Sequence, residues 1–364
     1  MKQTYKWRHN RDFSDELEKS CLVAMYALEH KGDIKLLTTR YVSHIGLPSA
    51  IANQILRKYG YNEKIKKINK NKCKLIIPNQ ALQLEFEQGR IYIPCLNLYI
   101  PFKFEYLRFY IELLDKINQI EIDNEFVYIT MEICELPELE VLNYIGVDLN
   151  ATGHAAVAAC PITGKILKLG QEICHIKQVY RDLRTKYQRQ GRYLDLKLIK
   201  EKEKNKVKDL LHKIANIIIR FAKQNNCGIK MEDLTGIRNG VKKTSRNSKK
   251  FRRTVNNWNF SQLRKIIEYK ARLHGIEVIL INPRYTSQVC SKCKLLGIRS
   301  GKKFKCPHCG HADHADVNAA FNIATITEEM IACLSKETQA KGVLIPRVGN
   351  TLYFSGKPEK YKAA

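Results

Sequence analysis

The chain lacks any run of the ~18 apolar residues that a membrane-spanning helix requires. It also lacks an apolar segment behind its first residues, Met1-Lys-Gln-Thr-Tyr-Lys-Trp-Arg-His9, so no secretory signal is expected. Above all it is short of acid: 36 Asp and Glu stand against 63 Lys and Arg, a formal net charge of +27. A surplus of that size points away from an ordinary cytosolic enzyme and toward a polyanion partner. No basic amphipathic helix stands alone to lie on a membrane, so the expected polyanion is nucleic acid. Apolar residues make up 44% of the 364, enough for two or three domains with real cores.

A disulfide framework is not expected either, despite twelve cysteines. Four of them form two C-x-x-C pairs, Cys290-Ser-Lys-Cys293 and Cys306-Pro-His-Cys309, with twelve residues between. That spacing is the ligand pattern of a zinc ribbon, each pair on a tight knuckle and four thiolates closing a tetrahedron. Gly310 follows the second pair, where a knuckle often needs positive φ. A closed four-thiolate site leaves no open position for chemistry, so this zinc is expected to be structural. The other eight (Cys21, Cys73, Cys95, Cys134, Cys160, Cys174, Cys227 and Cys333) are scattered, and read as buried thiols in a reducing compartment, the cytoplasm, beside the nucleoid.

Along the chain, Thr4–Trp7 reads as a strand, and a helical pattern opens at Ser14, a candidate N-cap. From residue 73 to 132 the pattern turns to short strands: Lys74–Ile77, Leu82–Phe86, Arg90–Ile93, Leu96–Ile100 and Phe126–Met131. These suggest a small antiparallel barrel over 1–140 with a helical insert at about 11–63. A second domain is expected over 141–332. Three apolar stretches come first, Asn143–Leu149, His154–Cys160 and Lys165–Leu169. A long basic helical stretch follows from Ile176 to Gln224, with an apolar stripe at Leu210, Leu211, Ile214, Ile217, Ile218 and Phe221. Then come a strand at Gly228–Leu234, a helix at Phe260–His274, a strand at Ile276–Ile281, the ribbon at 288–311, and a helix from near His314 to about Ala332. The tail, 333–364, is polar and expected to be partly disordered.

Three antiparallel strands followed by alternating helices and strands is the order of an RNase H-like domain. Asp148 lies on the first strand of that order, Glu232 ends the fourth, and Asp316 opens the last helix. In such a fold these elements are neighbours, so the three carboxylates can converge. Converged carboxylates repel one another unless cations intervene. Two magnesium ions ~3.5–4 Å apart would satisfy that and suit in-line attack on a phosphodiester. Taken singly, each acid also fits a plainer role: a turn former at Asp148, a solvated strand exit at Glu232-Asp233, a helix cap at Asp316 or Asp313. Residues 238–253 carry eight bases and no acid. Lys242, Lys243, Arg246, Lys249, Lys250, Arg252 and Arg253 within it are candidates for contacts to a nucleic-acid backbone.

Taken together, Gly146-Val-Asp148-Leu, Met231-Glu232-Asp-Leu, Asn257-Trp258-Asn-Phe260, Tyr269-Lys-Ala271, Tyr285-Thr-Ser-Gln288, the cysteine pairs and Asp316-Val-Asn-Ala-Ala320 stand in the order seen in TnpB proteins. The chain resembles that family, insertion-sequence-encoded nucleases related to the type V CRISPR effectors, over about residues 142–325. The resemblance implies an RNA-guided DNA endonuclease with a RuvC-like domain split around a zinc ribbon. Its guide RNA would come from the transposon end, and it would cut double-stranded DNA beside a short adjacent motif. It implies catalytic, magnesium-binding roles for Asp148, Glu232 and Asp316, and zinc binding by Cys290, Cys293, Cys306 and Cys309. The N-terminal barrel would be wedge-like, and it and its helical insert would hold the RNA scaffold and read the motif, although 1–140 itself carries no anchoring motif. One departure is Lys294, where a glycine is commoner. The rival readings are an RNA-guided repressor, which would need a disabled acid, and an RNase H-like transposase, which would join strands as well as cut.

Overall fold

The computed structural model describes residues 2–69, 72–85, 87–101, 114–138, 140–235, 259–327 and 329–332. The chain divides into two compact units, Met1–Glu135 and Leu136–Ala364.

In the first unit, β1 (Lys2–Arg8) pairs antiparallel with β7 (Phe126–Ile133), β7 with β6 (Leu114–Ile122), and β6 with β2 (Leu75–Pro78). Helices α1 (Ser14–Glu29) and α2 (Ser49–Gly60) come between β1 and β2, where a helical insert is expected. Strand β7 alternates strictly: Val127, Ile129 and Met131 are buried and pack with Ile120, Ile122, Leu75, Ile77 and the helical Ile51, Ile55 and Leu56. The short strands β3 (Gln83–Glu85), β4 (Arg90–Ile93) and β5 (Leu98–Pro101) form a separate antiparallel sheet. Among the described residues the strands therefore fall into two open sheets, not the one barrel expected. Pro78 ends β2, where it has no N–H to continue the ladder, and a 3-10 turn at Asn79–Ala81 redirects the chain. Strand β6 escapes the period-two pattern because it is bulged between Leu114 and Lys116 and between Ile117 and Gln119. Ser14 is not the cap of α1 but its first residue. Phe13 holds the N-cap position, and Asp12 Oδ1 accepts the Ser14 N–H at 2.9 Å.

The second unit is built on one sheet of order β10-β9-β8-β11-β12. Strands β8 (Tyr144–Leu149), β9 (Ala156–Ala159) and β10 (Ile166–Leu169) form an antiparallel meander. Then β11 (Gly228–Glu232) joins β8 in parallel and β12 (Val278–Ile281) joins β11 in parallel. Parallel neighbours need crossovers. The first contains α3 (Gln171–Arg189) and α4 (Tyr193–Gln224), the second α5 (Phe260–Leu273). The basic helical stretch read as one element is thus two, broken where Gly191 takes φ 67°. On α4 the stripe is Leu211, Ile214, Ile218 and Phe221, all buried, whereas Ile217 is exposed.

The alternation of β8 decides what each face receives. Ile145, Val147 and Leu149 enter the core beneath α4 and α5. Gly146 and Asp148 point the other way, toward α6 (Ala315–Thr325). Helix α6 is buried on nearly every side, from Ala315 to Ala320 and again at Asn322–Ala324. It ends at Thr325, short of the expected Ala332. Ile326 is already extended, in the β-branched run Thr325-Ile326-Thr327. The helix lies so close to β8 that a Cβ on Gly146 would sit 1.9 Å from the Ala320 carbonyl oxygen and 2.5 Å from the Ala324 nitrogen. Backbone cannot yield as a flexible side chain would. Gly146→Ala is expected to cost about 3 kcal/mol and lower the melting temperature by ~6–12 °C in thermal unfolding. An unchanged midpoint would mean that α6 is free to lift off the sheet.

Among the eight scattered cysteines, Cys21, Cys73, Cys160 and Cys227 are buried and Cys95 is half-buried, but Cys134 and Cys174 are exposed. Cys333, the polar tail and the whole basic run from Lys242 to Arg253 lie outside the described residues. No described helix is long and apolar enough to cross a membrane.

Candidate metal centres

The four ribbon cysteines close on one point, with their Sγ atoms all within 4.8 Å of one another. Two matched knuckles bring them there. The Lys294 N–H donates to the Cys290 carbonyl at 3.0 Å, and the Gly310 N–H to the Cys306 carbonyl at 3.2 Å. Both turn residues are left-handed, φ 62° and 73°. Glycine adopts that region without strain; lysine does not. Lys294 is held there by its own side chain, whose Nζ donates to Thr325 Oγ1 at 2.7 Å on α6. The cross-knuckle contacts are 3.6 Å for Cys290–Cys309 and 3.5 Å for Cys293–Cys306. A zinc tetrahedron with ~2.3 Å Zn–S bonds has S···S edges of ~3.8 Å, so the donor set and its spacing fit that ion. Burial opposes ionisation of the Cys306 thiol, yet the backbone N–H groups of Cys309 and His308 bring it down to about 7.

The ribbon is a small sheet, β13 (Ile298–Ser300), β14 (Lys303–Lys305) and β15 (Ala312–His314), running directly into α6. The first knuckle is bolted to α6 by two buried asparagines. Asn318 Oδ1 accepts the Ser291 N–H at 2.8 Å, and its Nδ2 donates to the Val289 carbonyl at 2.7 Å. Asn322 Nδ2 donates to the carbonyls of Thr286 and Val289 at 2.9 and 2.6 Å. Buried amides so fully paired fix one orientation of ribbon against helix.

Asp148 on β8, Glu232 at the end of β11 and Asp316 in the first turn of α6 meet on the α6 face of the sheet. Burial, then the charges of Glu232 and Asp316, push the Asp148 carboxyl up to about 8, against the opposing pull of Asn150 and Arg299. Burial also raises the Glu232 carboxyl, countered by the Thr286 hydroxyl, which donates to Glu232 Oε1 at 2.5 Å, and by Arg299. Asp316 is 0% exposed and carries two cations: Arg299 on Oδ1 at 3.1 Å and Lys302 on Oδ2 at 2.5 Å. Lys302 also donates to Asn150 Oδ1 at 3.2 Å, and Asn150 Nδ2 to Asp148 Oδ2 at 2.9 Å. His314, not Asp313 or Asp316, is the N-cap residue of α6, so Asp316 has no capping duty. Among the described residues the cysteines alone are grouped tightly enough to hold an ion as they stand. The acids crowd one another but share their space with protein cations.

Sequence reasoning missed Arg299, Lys302, Asn150, Thr286, Asn318 and Asn322. Thr286 lies within Tyr285-Thr-Ser-Gln288, and Asn318 and Asn322 within or just beyond the Asp316-Val-Asn-Ala-Ala320 stretch, so a signal existed for those. Arg299 and Lys302 are two bases among 63, and nothing in their spacing sets them apart.

Strand order, thiolate cluster and gathered acids define a mixed α/β protein with a metal-ligating ribbon at its carboxylate site. Residues 260–323 match the family model described as Cas12f1-like, TNB domain. A TnpB-like protein of Methanocaldococcus jannaschii is 36% identical over 185 residues, 48% of this chain and 66% of that protein. The CRISPR-associated endodeoxyribonuclease Cas12f1 of Sulfoacidibacillus thermotolerans is 32% identical over 204 residues, 51% of this chain and 46% of that one. A TnpB-like protein of Aquifex aeolicus is 30% identical over 173 residues, 44% of this chain and 54% of its own. The matched part thus spans about half to two-thirds of these relatives' lengths. The chain belongs to the TnpB family.

Proposed function

We propose that the second unit is an RNase H-like, RuvC-like nuclease domain and that the protein is an RNA-guided DNA endonuclease encoded by a transposable element. The observation that carries the reading is the gathering of Asp148, Glu232 and Asp316 on one buried face. A fold gains nothing in stability from such crowding, so a function for it is the economical explanation. Family membership supports the same reading.

Asp148, Glu232 and Asp316 would hold divalent cations through hard carboxylate oxygens, for which magnesium is the fitting ion. When bound there, such ions supply an activated water and a counter-charge for the leaving oxygen of a phosphodiester. Thr286 fixes one oxygen of Glu232, and Asn150 one of Asp148, which leaves the other oxygen of each carboxylate to serve as a ligand. The Arg299 guanidinium would offset the charge of the scissile phosphate. The tetrathiolate would hold zinc and, through Asn318, Asn322 and Lys294, would fix α6 and hence Asp316. The net charge of +27 suits a guide RNA and double-stranded DNA held by their backbones, and pairing with the guide would supply sequence. The basic residues from Lys242 to Arg253 remain candidates for those contacts. The first unit, wedge-like and carrying the helical insert, would hold the RNA scaffold and read the adjacent motif.

The test is co-expression with the flanking DNA, sequencing of the RNA that copurifies, and cleavage of a plasmid library with a randomised motif beside a matched target. A defined RNA and motif-dependent cutting that vanishes in Asp148→Ala are expected. Bound RNA with no cutting would leave a guided DNA-binding protein, and strand-joined products would indicate a transposase.

A further inference from the structure

The two cations on Asp316 are not equivalent. Arg299 lies on β13 with its side chain 11% exposed, and its Nε donates to the Gly301 carbonyl at 3.1 Å. Its guanidinium is therefore clamped between its own hairpin and Asp316 Oδ1. Lys302 has a fixed backbone, since its carbonyl accepts the Ala315 N–H at 2.9 Å, but its side chain is 37% exposed. A flexible four-carbon stem with a strongly hydrated head, rooted at a fixed Cα, can swing from Asp316 into water. The ammonium also reaches Asn150, which in turn holds Asp148. One side chain thereby ties the first acid to the third.

We propose that Lys302 is a resident counter-ion of the carboxylate site, which a divalent cation must displace from Asp316 Oδ2 in order to bind. The inference rests on the reading of Asp148, Glu232 and Asp316 as a divalent-metal site. Ammonium and metal seek the same carboxylate oxygen, and they cannot share the space between Asp316 and Asp148. Arg299 remains as the permanent charge partner, so the buried Asp316 is never left bare while Lys302 exchanges. Lys302 thus weakens the site's apparent affinity for divalent ions while keeping the acids from repelling one another. Its departure also releases Asn150, and with it Asp148. The ribbon hairpin accordingly supplies both the fixed and the exchangeable cation of a site whose acids come from the sheet and α6.

The test is Mn2+ titration of zinc-loaded protein, read from the free-Mn2+ signal in electron paramagnetic resonance, for wild type, Lys302→Met, Lys302→Arg and Asp148→Asn. Lys302→Met keeps the apolar stem and removes the competing charge, so its Kd for Mn2+ should fall about ten-fold or more. Lys302→Arg, whose planar fork holds a carboxylate at least as firmly, should bind no tighter than wild type. Equal or weaker binding by Lys302→Met, or tighter binding by Lys302→Arg, would overturn the proposal and leave Lys302 as a positioning residue for Asp316. Asp148→Asn separates the two ideas: if it binds Mn2+ as wild type does, the acids are not the metal site at all. Binding absent from wild type but present in Lys302→Met would uphold the exchange in its strongest form; binding absent from both would end both readings.

Discussion

Asp148→Asn is expected to abolish DNA cutting and, in buffer free of magnesium and manganese, to make the protein more stable at pH 8. The cutting follows from the loss of an anionic ligand. The stability follows from proton linkage. In the unfolded chain an aspartate ionises near its ordinary value of 3.8, whereas in the folded protein Asp148 stays protonated up to about 8. Between those values the native state binds the proton that the unfolded state has released, so stability falls as pH rises, by up to ~1.4 kcal/mol per unit. Below the lower value nothing is lost; above about 8 the loss is complete. An asparagine has no proton to hold, so thermal unfolding of the variant should decline less steeply over that window than wild type. Glu232, also raised by burial, works in the same direction. A gain of a few kcal/mol at pH 8 is the expected size, and it should disappear at pH 4. A wild-type profile flat from pH 4 to 8 would mean that the acids do not crowd one another in solution. Adding Mn2+ should restore wild type more at pH 8 than at pH 6, because the ion competes with a proton.

The meeting of those acids was legible because it depends on two things that sequence carries: the order of the elements and the period of a strand. Gly146 and Asp148 share a face by alternation alone, and a helix able to touch Gly146 must come close to Asp148. The ribbon was legible from ligand spacing. What the sequence hid was non-local or irregular. Strand β6 slips register twice, so Ile117 and Ile120 stand three apart where an unbroken strand would space them by two. The division of the N-terminal strands into two sheets is set by pairing between distant segments, which no local pattern encodes. The break at Gly191 could have been read, since glycine costs a helix about 1 kcal/mol, but the long helical pattern on either side masked it. Arg299 and Lys302 could not, because a charge becomes a counter-ion only when the fold sets an acid in front of it. The sequence reading anticipated a need for cations among the acids; the structure already holds two of them, and they belong to the chain.

Cys306→Ser should remove the zinc and, through the ribbon, unseat Asp316. Structural zinc sites in small domains are worth ~10–16 kcal/mol in binding free energy near neutral pH, and apo ribbons of this kind do not hold their fold. Phe304 and the buried Cys290 and Cys306 form almost all of the ribbon's apolar interior, together with Ala315 at the start of α6. That core is too small to persist without the metal. The bonds that would go slack are those that seat α6: Asn318 to Ser291 and Val289, Asn322 to Thr286 and Val289, and Lys294 to Thr325. Arg299 and Lys302 would leave with the hairpin, stripping Asp316 of both cations. Zinc measured by mass spectrometry should fall from about one per chain to near none, the four thiolates forming a single site. Amide exchange across Ala315–Thr325 should accelerate at least ten-fold, while the alternating strands of the first unit keep their protection. If α6 stayed as protected as in wild type after the zinc was gone, its seat would be the Gly146 face of the sheet alone. The ribbon would then be a passenger on the helix, with no hold on the position of Asp316.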